Sequence, residues 1–230
     1  MDHWRVHVPE DGGHSEKATL GGMHQDQPIL QVGEPLERAR AAMVLVHGRG
    51  ASAEDIMTVG AELQHPGFVY VAPQAEGGAW YPDRFMEPME RNEPYLTSAL
   101  EVLGSLVKGL EARIPAAKII LLGFSQGGCL TLEFAARNAR RYGAVVGFSS
   151  GLIGPDDTPR DYPGSFSGTP VFLGCSDVDP HIPAARVLET GRVYERMGAK
   201  VSVNLYTGMD HTVSHDEIVA VREMVAAVAR

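Results

Sequence analysis

Short apolar runs alternate with helical apolar stripes along most of the chain. Residues 43–46, 68–71 and 119–122 are almost entirely apolar, which is typical of strands buried on both faces. Residues 96–114 instead carry apolar side chains at three- and four-residue spacing, the period of one helix face packed against a sheet. This alternation predicts a single α/β domain whose mainly parallel central sheet is covered by helices on both faces.

The same patterns predict an order of elements for the whole chain. The predicted strands are 29–32, 43–46, 68–71, 119–122, 144–148, 170–173 and 201–206, and the predicted helices are 53–63, 96–114, 126–139, 184–197 and 217–229. Residues 1–27 are predicted to form an N-terminal arm, which leaves 28–230 as the domain. Residues 73–93 contain three prolines and form a long loop, a kind of segment that is often functional.

Composition and charge exclude several classes of protein. With 44% hydrophobic and 21% charged residues, the chain resembles ordinary globular proteins. No apolar run approaches the about 18 residues of a membrane span. Residues 1–5 lack the features of a signal peptide, so we expect a cytoplasmic protein. The net charge of −9 disfavours nucleic acid and anionic membranes, so we expect no nucleic-acid partner and no stable membrane association.

The two cysteines and a histidine pair predict no special chemistry. Cys129 and Cys175 lie in separate apolar contexts and are expected to be buried thiols rather than a disulfide. His211 and His215 have the spacing of metal ligands on a helix, but no third ligand is evident nearby, so no metal site is predicted. The polar arm residues His24, Gln25 and Gln27 are expected at the surface; the alternative is that they approach the mouth of the site.

The pattern Gly-x-Ser-x-Gly occurs twice, centred on Ser125 and on Ser149. An activated serine of this kind sits where a strand runs into a sharp turn and a helix leaves it. Ser125 has a predicted strand before it and a predicted helix after it. Ser149 follows a strand but precedes residues 152–157, which include Gly and Pro and cannot form a helix. We therefore predict Ser125 as a nucleophile and exclude Ser149.

A nucleophilic serine needs a base and a carboxylate that orients the base. His211 follows the strand 201–206 and is expected at the carboxyl edge of the sheet, where Ser125 is also expected. Asp177 and Asp179 both follow the predicted strand 170–173. Because alternate residues of an extended segment point in opposite directions, only one of them can reach the histidine, and the residues alone leave both open.

Four segments in this order resemble the phospholipase/carboxylesterase family of α/β-hydrolases, which includes the acyl-protein thioesterases. They are His-Gly-Arg-Gly at 47–50, Gly-Phe-Ser-Gln-Gly-Gly at 123–128, Asp-Pro-His-Ile-Pro at 179–183 and Gly-Met-Asp-His at 208–211. The likeness covers about residues 28–230. It implies the α/β-hydrolase fold, and the segment 151–169 is too short to add a helical cap domain.

The resemblance also implies the site residues. It implies a catalytic triad of Ser125, Asp179 and His211, since the acid of the family precedes proline in the same Asp-Pro-x-x-Pro pattern. It implies an oxyanion hole formed by the backbone N–H groups of Arg49 and Gln126. No metal and no cofactor are expected.

Two departures from the family pattern leave alternatives. Arg49 stands where the thioesterases often have an apolar residue, and its side chain either contacts an acidic group of the substrate or is solvated or ion-paired. Asp177 lengthens the turn before the family's acid and stays the alternative acid. Five residues of the long loop resemble the segment that borders the acyl site in the family: Trp80, Tyr81, Phe85, Met86 and Met89. Of these, Trp80, Phe85 and Met86 are predicted to bind substrate; the alternative is that Trp80 and Phe85 pin the loop to the body.

These observations predict a serine carboxylesterase that hydrolyses small to medium acyl esters through an acyl-enzyme on Ser125. Its partner is then a small-molecule ester, and a homodimer is left open. The alternatives are hydrolysis of protein or coenzyme A thioesters, lysophospholipase activity, and a non-catalytic ligand-binding relative.

Overall fold

A β-sheet forms the centre of the structure, a computed structural model that describes residues 23–230. Most of the predicted arm, residues 1–22, therefore lies outside the described residues. The strands are β1 (Ile29–Gly33), β2 (Ala41–Val46), β3 (Phe68–Pro73), β4 (Ile119–Phe124), β5 (Ala144–Phe148), β6 (Pro170–Ser176) and β7 (Lys200–Tyr206). The helices are α1 (Ala53–Glu62), α2 (Tyr95–Glu111), α3 (Ser125–Arg137), α4 (Ala184–Arg196) and α5 (His215–Ala229).

The strands lie side by side in the order β1-β3-β2-β4-β5-β6-β7. β1 pairs antiparallel with β3, and every other neighbouring pair is parallel. The predicted mainly parallel sheet is confirmed. Because the parallel strands all end at one edge, the loops after β2, β4, β6 and β7 meet there, and that edge is where sites form in sheets of this kind.

Helices cover both faces of the sheet and divide the core into two layers. Side chains of α2, α3 and α4 pack in one cluster, and those of α1 and α5 pack in the other. Within β4, Ile119 and Leu121 belong to the first cluster, whereas Ile120 and Leu122 belong to the second. Both faces of the strand are therefore apolar, which explains why the central strands have uninterrupted apolar sequences.

The predicted elements are confirmed, with small differences at helix ends. α2 ends at Glu111, before the predicted end at 114. Ile114 is nevertheless 1% exposed, so its apolar position reflects packing after the helix ends. α5 begins two residues earlier than predicted, because the Ser214 side chain accepts a hydrogen bond from the backbone of Glu217 and caps the helix. Within 23–230, no helix has the length and apolarity needed to cross a bilayer.

Candidate active site

Ser125 occupies a tight turn between β4 and α3. Its φ is +52°, a left-handed conformation that L-residues rarely adopt. A Cβ added at Gly123 would lie 2.4 Å from the backbone oxygen of Gly127, and one added at Gly127 would lie 2.2 Å from the backbone oxygen of His47. Only glycine at these positions lets the turn pack this closely, so the two glycines of the motif hold Ser125 in place.

His211 lies between Ser125 and Asp179 and contacts both. The distance from His211 Nε2 to Ser125 Oγ is 2.8 Å, and that from His211 Nδ1 to Asp179 Oδ2 is 2.7 Å. With the proton on Nδ1 donated to the carboxylate, Nε2 is free to accept the serine hydroxyl hydrogen. The structure thus brings together three residues that the sequence places on three separate loops.

The two candidate acids point in opposite directions. Asp179 is the one that contacts His211, and its other oxygen accepts hydrogen bonds from the backbone N–H groups of His181 (2.8 Å) and Ile182 (3.0 Å). Asp177 instead accepts a hydrogen bond from the Gly208 N–H at 2.9 Å. Asp177 therefore fastens the turn that leads to His211, while Asp179 holds the imidazole.

The environment of Asp179 favours its ionised form. Burial by itself raises the pKa of this carboxyl, but the hydrogen bonds from His211 and from the backbone of His181 and Ile182 outweigh it, so the pKa lies below its ordinary value. The carboxylate is therefore charged at neutral pH and can stabilise a protonated imidazole.

Arg49 and Gln126 present two unused backbone N–H groups beside Ser125. Gln126 is the second residue of α3, where backbone N–H groups have no partner inside the helix. In the described part of the chain, neither of these two N–H groups makes a hydrogen bond. Both residues line the cavity that contains Ser125, so this arrangement can receive an oxyanion.

The side chains of Arg49 and Gln126 hold the long loop after β3 against the site. The Arg49 guanidinium donates to the backbone oxygens of Tyr81 (2.9 Å), Pro82 (2.7 Å) and Asp83 (2.6 Å). The Gln126 amide donates to Tyr81 O at 2.7 Å and accepts from the Trp80 N–H at 2.9 Å. Neither an ion pair nor simple solvation describes Arg49, because its donors are used to bind the loop.

His47 connects the loop after β2 to the loop after β3 in its neutral form. Its Nε2 accepts the Ala75 N–H at 3.1 Å, which leaves Nδ1–H to donate to Gly48 O at 2.8 Å. Burial lowers the pKa of His47 below its usual value. His47 opens the His-Gly-Arg-Gly segment, but nothing in the sequence indicated this role for it.

His24 braces the same loop from the other side, so the surface expectation for it is wrong. It is 1% exposed; its Nδ1 accepts the Glu76 N–H and its Nε2 lies 3.0 Å from Trp80 O. Burial lowers its pKa, as expected for a histidine that must accept a hydrogen bond. No sequence signal marked this residue, because its burial depends on packing of the arm against the loop.

A cavity of about 460 Å³ opens beside Ser125 and His211. Of the three predicted substrate-binding residues, the structure places Phe85 at its wall, together with Tyr81 of the same loop segment. Trp80 is 0% exposed, and its indole N–H donates to His47 O at 2.9 Å. Met86 packs against the core. Trp80 and Met86 thus pin the loop, and neither lines this cavity.

The other residues considered from the sequence take no part in the contacts that join Ser125, His211 and Asp179. Ser149 is fully buried, and turns rather than a helix follow it. The predicted buried thiols are confirmed, and burial raises the pKa of Cys129 and of Cys175 to about 12. His215 is exposed in the first turn of α5. Residues 23–230 contain no group of three His, Cys, Asp or Glu side chains placed to hold a metal ion.

Comparisons with known proteins identify the family of this chain. The family model described as Phospholipase/Carboxylesterase matches residues 27–229. Acyl-protein thioesterase 1 of Debaryomyces hansenii is 27% identical over 85% of this chain and 94% of the relative. That of Saccharomyces cerevisiae is 25% identical over 82% and 93%. The crystal structure of a phospholipase/carboxylesterase from Dyadobacter fermentans is 44% identical, with a TM-score of 0.85 over 89% of this chain and 98% of that one.

Proposed function

The chain belongs to the phospholipase/carboxylesterase family of α/β-hydrolases, and from this membership we propose that it is a serine carboxylesterase acting on small to medium acyl esters. The observation that carries the proposal is the position of His211, 2.8 Å from Ser125 Oγ and 2.7 Å from Asp179 Oδ2. A histidine whose ring nitrogens were only solvated would not contact a hydroxyl on one side and a buried carboxylate on the other. This arrangement suits proton transfer away from the serine.

The proposed reaction proceeds through an acyl-enzyme. Ser125 Oγ attacks the ester carbonyl carbon while His211 Nε2 takes the hydroxyl proton, and the carbonyl oxygen becomes an oxyanion that accepts hydrogen bonds from the N–H groups of Arg49 and Gln126. The protonated imidazole is stabilised by Asp179. His211 then gives the proton to the leaving alcohol as the ester C–O bond breaks. A water molecule then attacks the acyl carbonyl carbon while His211 takes its proton. The bond to Ser125 Oγ breaks, His211 returns the proton to Ser125, and the carboxylic acid is released.

The size and walls of the cavity support the substrate range. A volume of about 460 Å³ lies within the range of small-molecule sites. Tyr81, Phe85 and Ile182 contribute apolar wall beside the serine. An acyl chain of a few carbons fits such a space.

Thioester hydrolysis is the second candidate. It is supported by the resemblance to acyl-protein thioesterases over most of both chains. The same acyl-enzyme forms from an oxygen or a sulfur ester, so the site is compatible with both. Turnover of matched oxygen and sulfur esters of one acyl group would decide between them: a higher kcat/KM for the sulfur ester would replace the first proposal by the second.

Replacement of Ser125 by Ala tests the proposed function, with Ser149→Ala as the matched control. Both serines are centred in the same pattern, but Ser149 is buried outside the cavity. Ser125→Ala should lower kcat for p-nitrophenyl butyrate by about 10⁴-fold or more and abolish labelling by a fluorophosphonate, and Ser149→Ala should retain both. A folded Ser125→Ala variant with full turnover would refute the mechanism. A wild type that neither labels nor turns over esters would favour a non-catalytic relative.

A further inference from the structure

The cavity beside Ser125 contains positive charge that the described residues do not neutralise. Among its lining residues, the formally charged side chains are those of Arg49, Arg84 and Asp83. Asp83 is already ion-paired, since its Oδ2 lies 2.8 Å from Arg91 Nε. Asp83 is the one carboxylate among these charged lining residues, and it is therefore paired with Arg91, which does not line the cavity.

Arg49 keeps its charge although its donors are used. Its partners are the backbone oxygens of Tyr81, Pro82 and Asp83, which are dipoles without net charge. The guanidinium is thereby fixed at the cavity with a full positive charge. A fixed charge of this kind can attract an anion without further ordering of the side chain.

Of the two arginines that line the cavity, Arg84 is the one whose guanidinium can contact a substrate directly. It is exposed, it lines the cavity, and its guanidinium makes no hydrogen bond or ion pair with any residue of 23–230. Its neighbour on the same loop, Arg91, by contrast contacts both Asp83 and Glu87. A guanidinium presents parallel N–H groups that match a carboxylate in two-point contact.

We propose that the site prefers esters whose acyl part ends in a carboxylate, with Arg84 as the specificity-determining residue and Arg49 as a second, fixed positive charge. The inference rests on the proposed function, because it names the substrate class of the same site. It runs against the net charge of −9, which by itself would repel an anionic substrate. Preference for an anionic ester therefore has to come from charges local to the cavity.

Two esters that differ only at the acyl end test this preference. Phenyl hydrogen glutarate carries a terminal carboxylate where phenyl valerate has a methyl group, and release of phenol is followed for both after subtraction of spontaneous hydrolysis. Wild type should show the higher kcat/KM for the glutarate. Arg84→Gln should lower the glutarate-to-valerate ratio of kcat/KM about five-fold, mainly through KM, since an exposed charge pair contributes up to about 1 kcal/mol to binding. Arg84→Lys keeps the charge but loses the two-point contact, so it should give a ratio between those of wild type and Arg84→Gln, and Arg84→Glu should lower the ratio further.

Arg192→Gln is the matched control for overall charge. Arg192 is exposed on α4 and does not line the cavity, so this variant makes the same change in net charge and should leave the ratio unchanged. An equal fall in Arg84→Gln and Arg192→Gln would overturn the proposal, as would equal losses on both esters in Arg84→Gln. Turnover of phenyl valerate without preference for the glutarate would overturn this inference alone. Absence of turnover on both esters would overturn it together with the proposed function.

Discussion

Replacing Gly127 by Ala should destabilise this protein, although the same replacement at Gly109 should stabilise it. Both glycines lie inside helices, Gly127 in α3 and Gly109 in α2. Helix propensity alone favours Ala over Gly by about 1 kcal/mol in each case. The two positions differ in what a Cβ would meet.

At Gly127 the added Cβ would lie 2.2 Å from His47 O and 2.3 Å from Val46 O. These are backbone atoms at the end of β2, so no side-chain rotation can relieve the contact. An ordinary contact requires about 1 Å more separation, which the start of α3 must supply by moving away from the sheet. Overpacking of this kind costs about 3 kcal/mol or more, and after the gain in propensity the free energy of unfolding should fall by about 2 kcal/mol.

The same displacement of the start of α3 should also lower the catalytic rate. Ser125 and Gln126 belong to the turn that moves, whereas His211 and Arg49 belong to other loops. A displacement of about 1 Å between reacting groups can lower the rate about 100-fold. At Gly109, where no atom lies within 4 Å of the added Cβ, the free energy of unfolding should rise by about 0.5–1 kcal/mol with turnover unchanged.

Urea unfolding followed by circular dichroism gives the stability of each variant, and kcat/KM on p-nitrophenyl butyrate gives the catalytic effect. Gly127→Ala with wild-type stability and wild-type turnover would refute the argument from close packing. A stabilised Gly127→Ala variant that has lost activity would show that the turn relaxes at no cost, and would refute the energetic part.

Asp179→Asn should lower kcat by about 10⁴-fold, because the imidazole loses the carboxylate that orients it, whereas Asp177→Asn should cost much less; equal small losses in ester assays would contradict the assignment of the acid. The free energy of unfolding should fall as the pH drops below about 6.5, because burial lowers the pKa of His24 and of His47 in the folded protein, so the unfolded chain binds protons first. The slope is at most about 1.4 kcal/mol per pH unit for each histidine, and Glu217, whose pKa burial raises, opposes it at the acid end. Urea titrations from about pH 7.5 to about pH 5.5 measure this slope, and a stability that rises over that range would contradict it.

Local pattern was enough to predict the elements and the position of Ser125, the proposed nucleophile. Each central strand is a continuous apolar run because helices cover both of its faces, and each helix shows an apolar period because it packs on one side. Ser125 could be separated from Ser149 because the strand before it and the helix after it are both local features. The order of these elements along the chain then placed the loops with Ser125 and His211 at one edge of the sheet.

The sequence by itself thus determined the fold class, the elements and the serine with its histidine. Only the tertiary structure showed that Asp179 and not Asp177 contacts His211, buried Trp80 while placing Tyr81 at the cavity, and directed the Arg49 side chain onto the loop after β3. The physical reason is that each of these outcomes depends on the direction of a side chain and on its distance to a segment remote in the chain. Apolar period and motif spacing describe only neighbours in sequence, whereas these contacts form when the loops of different strands meet.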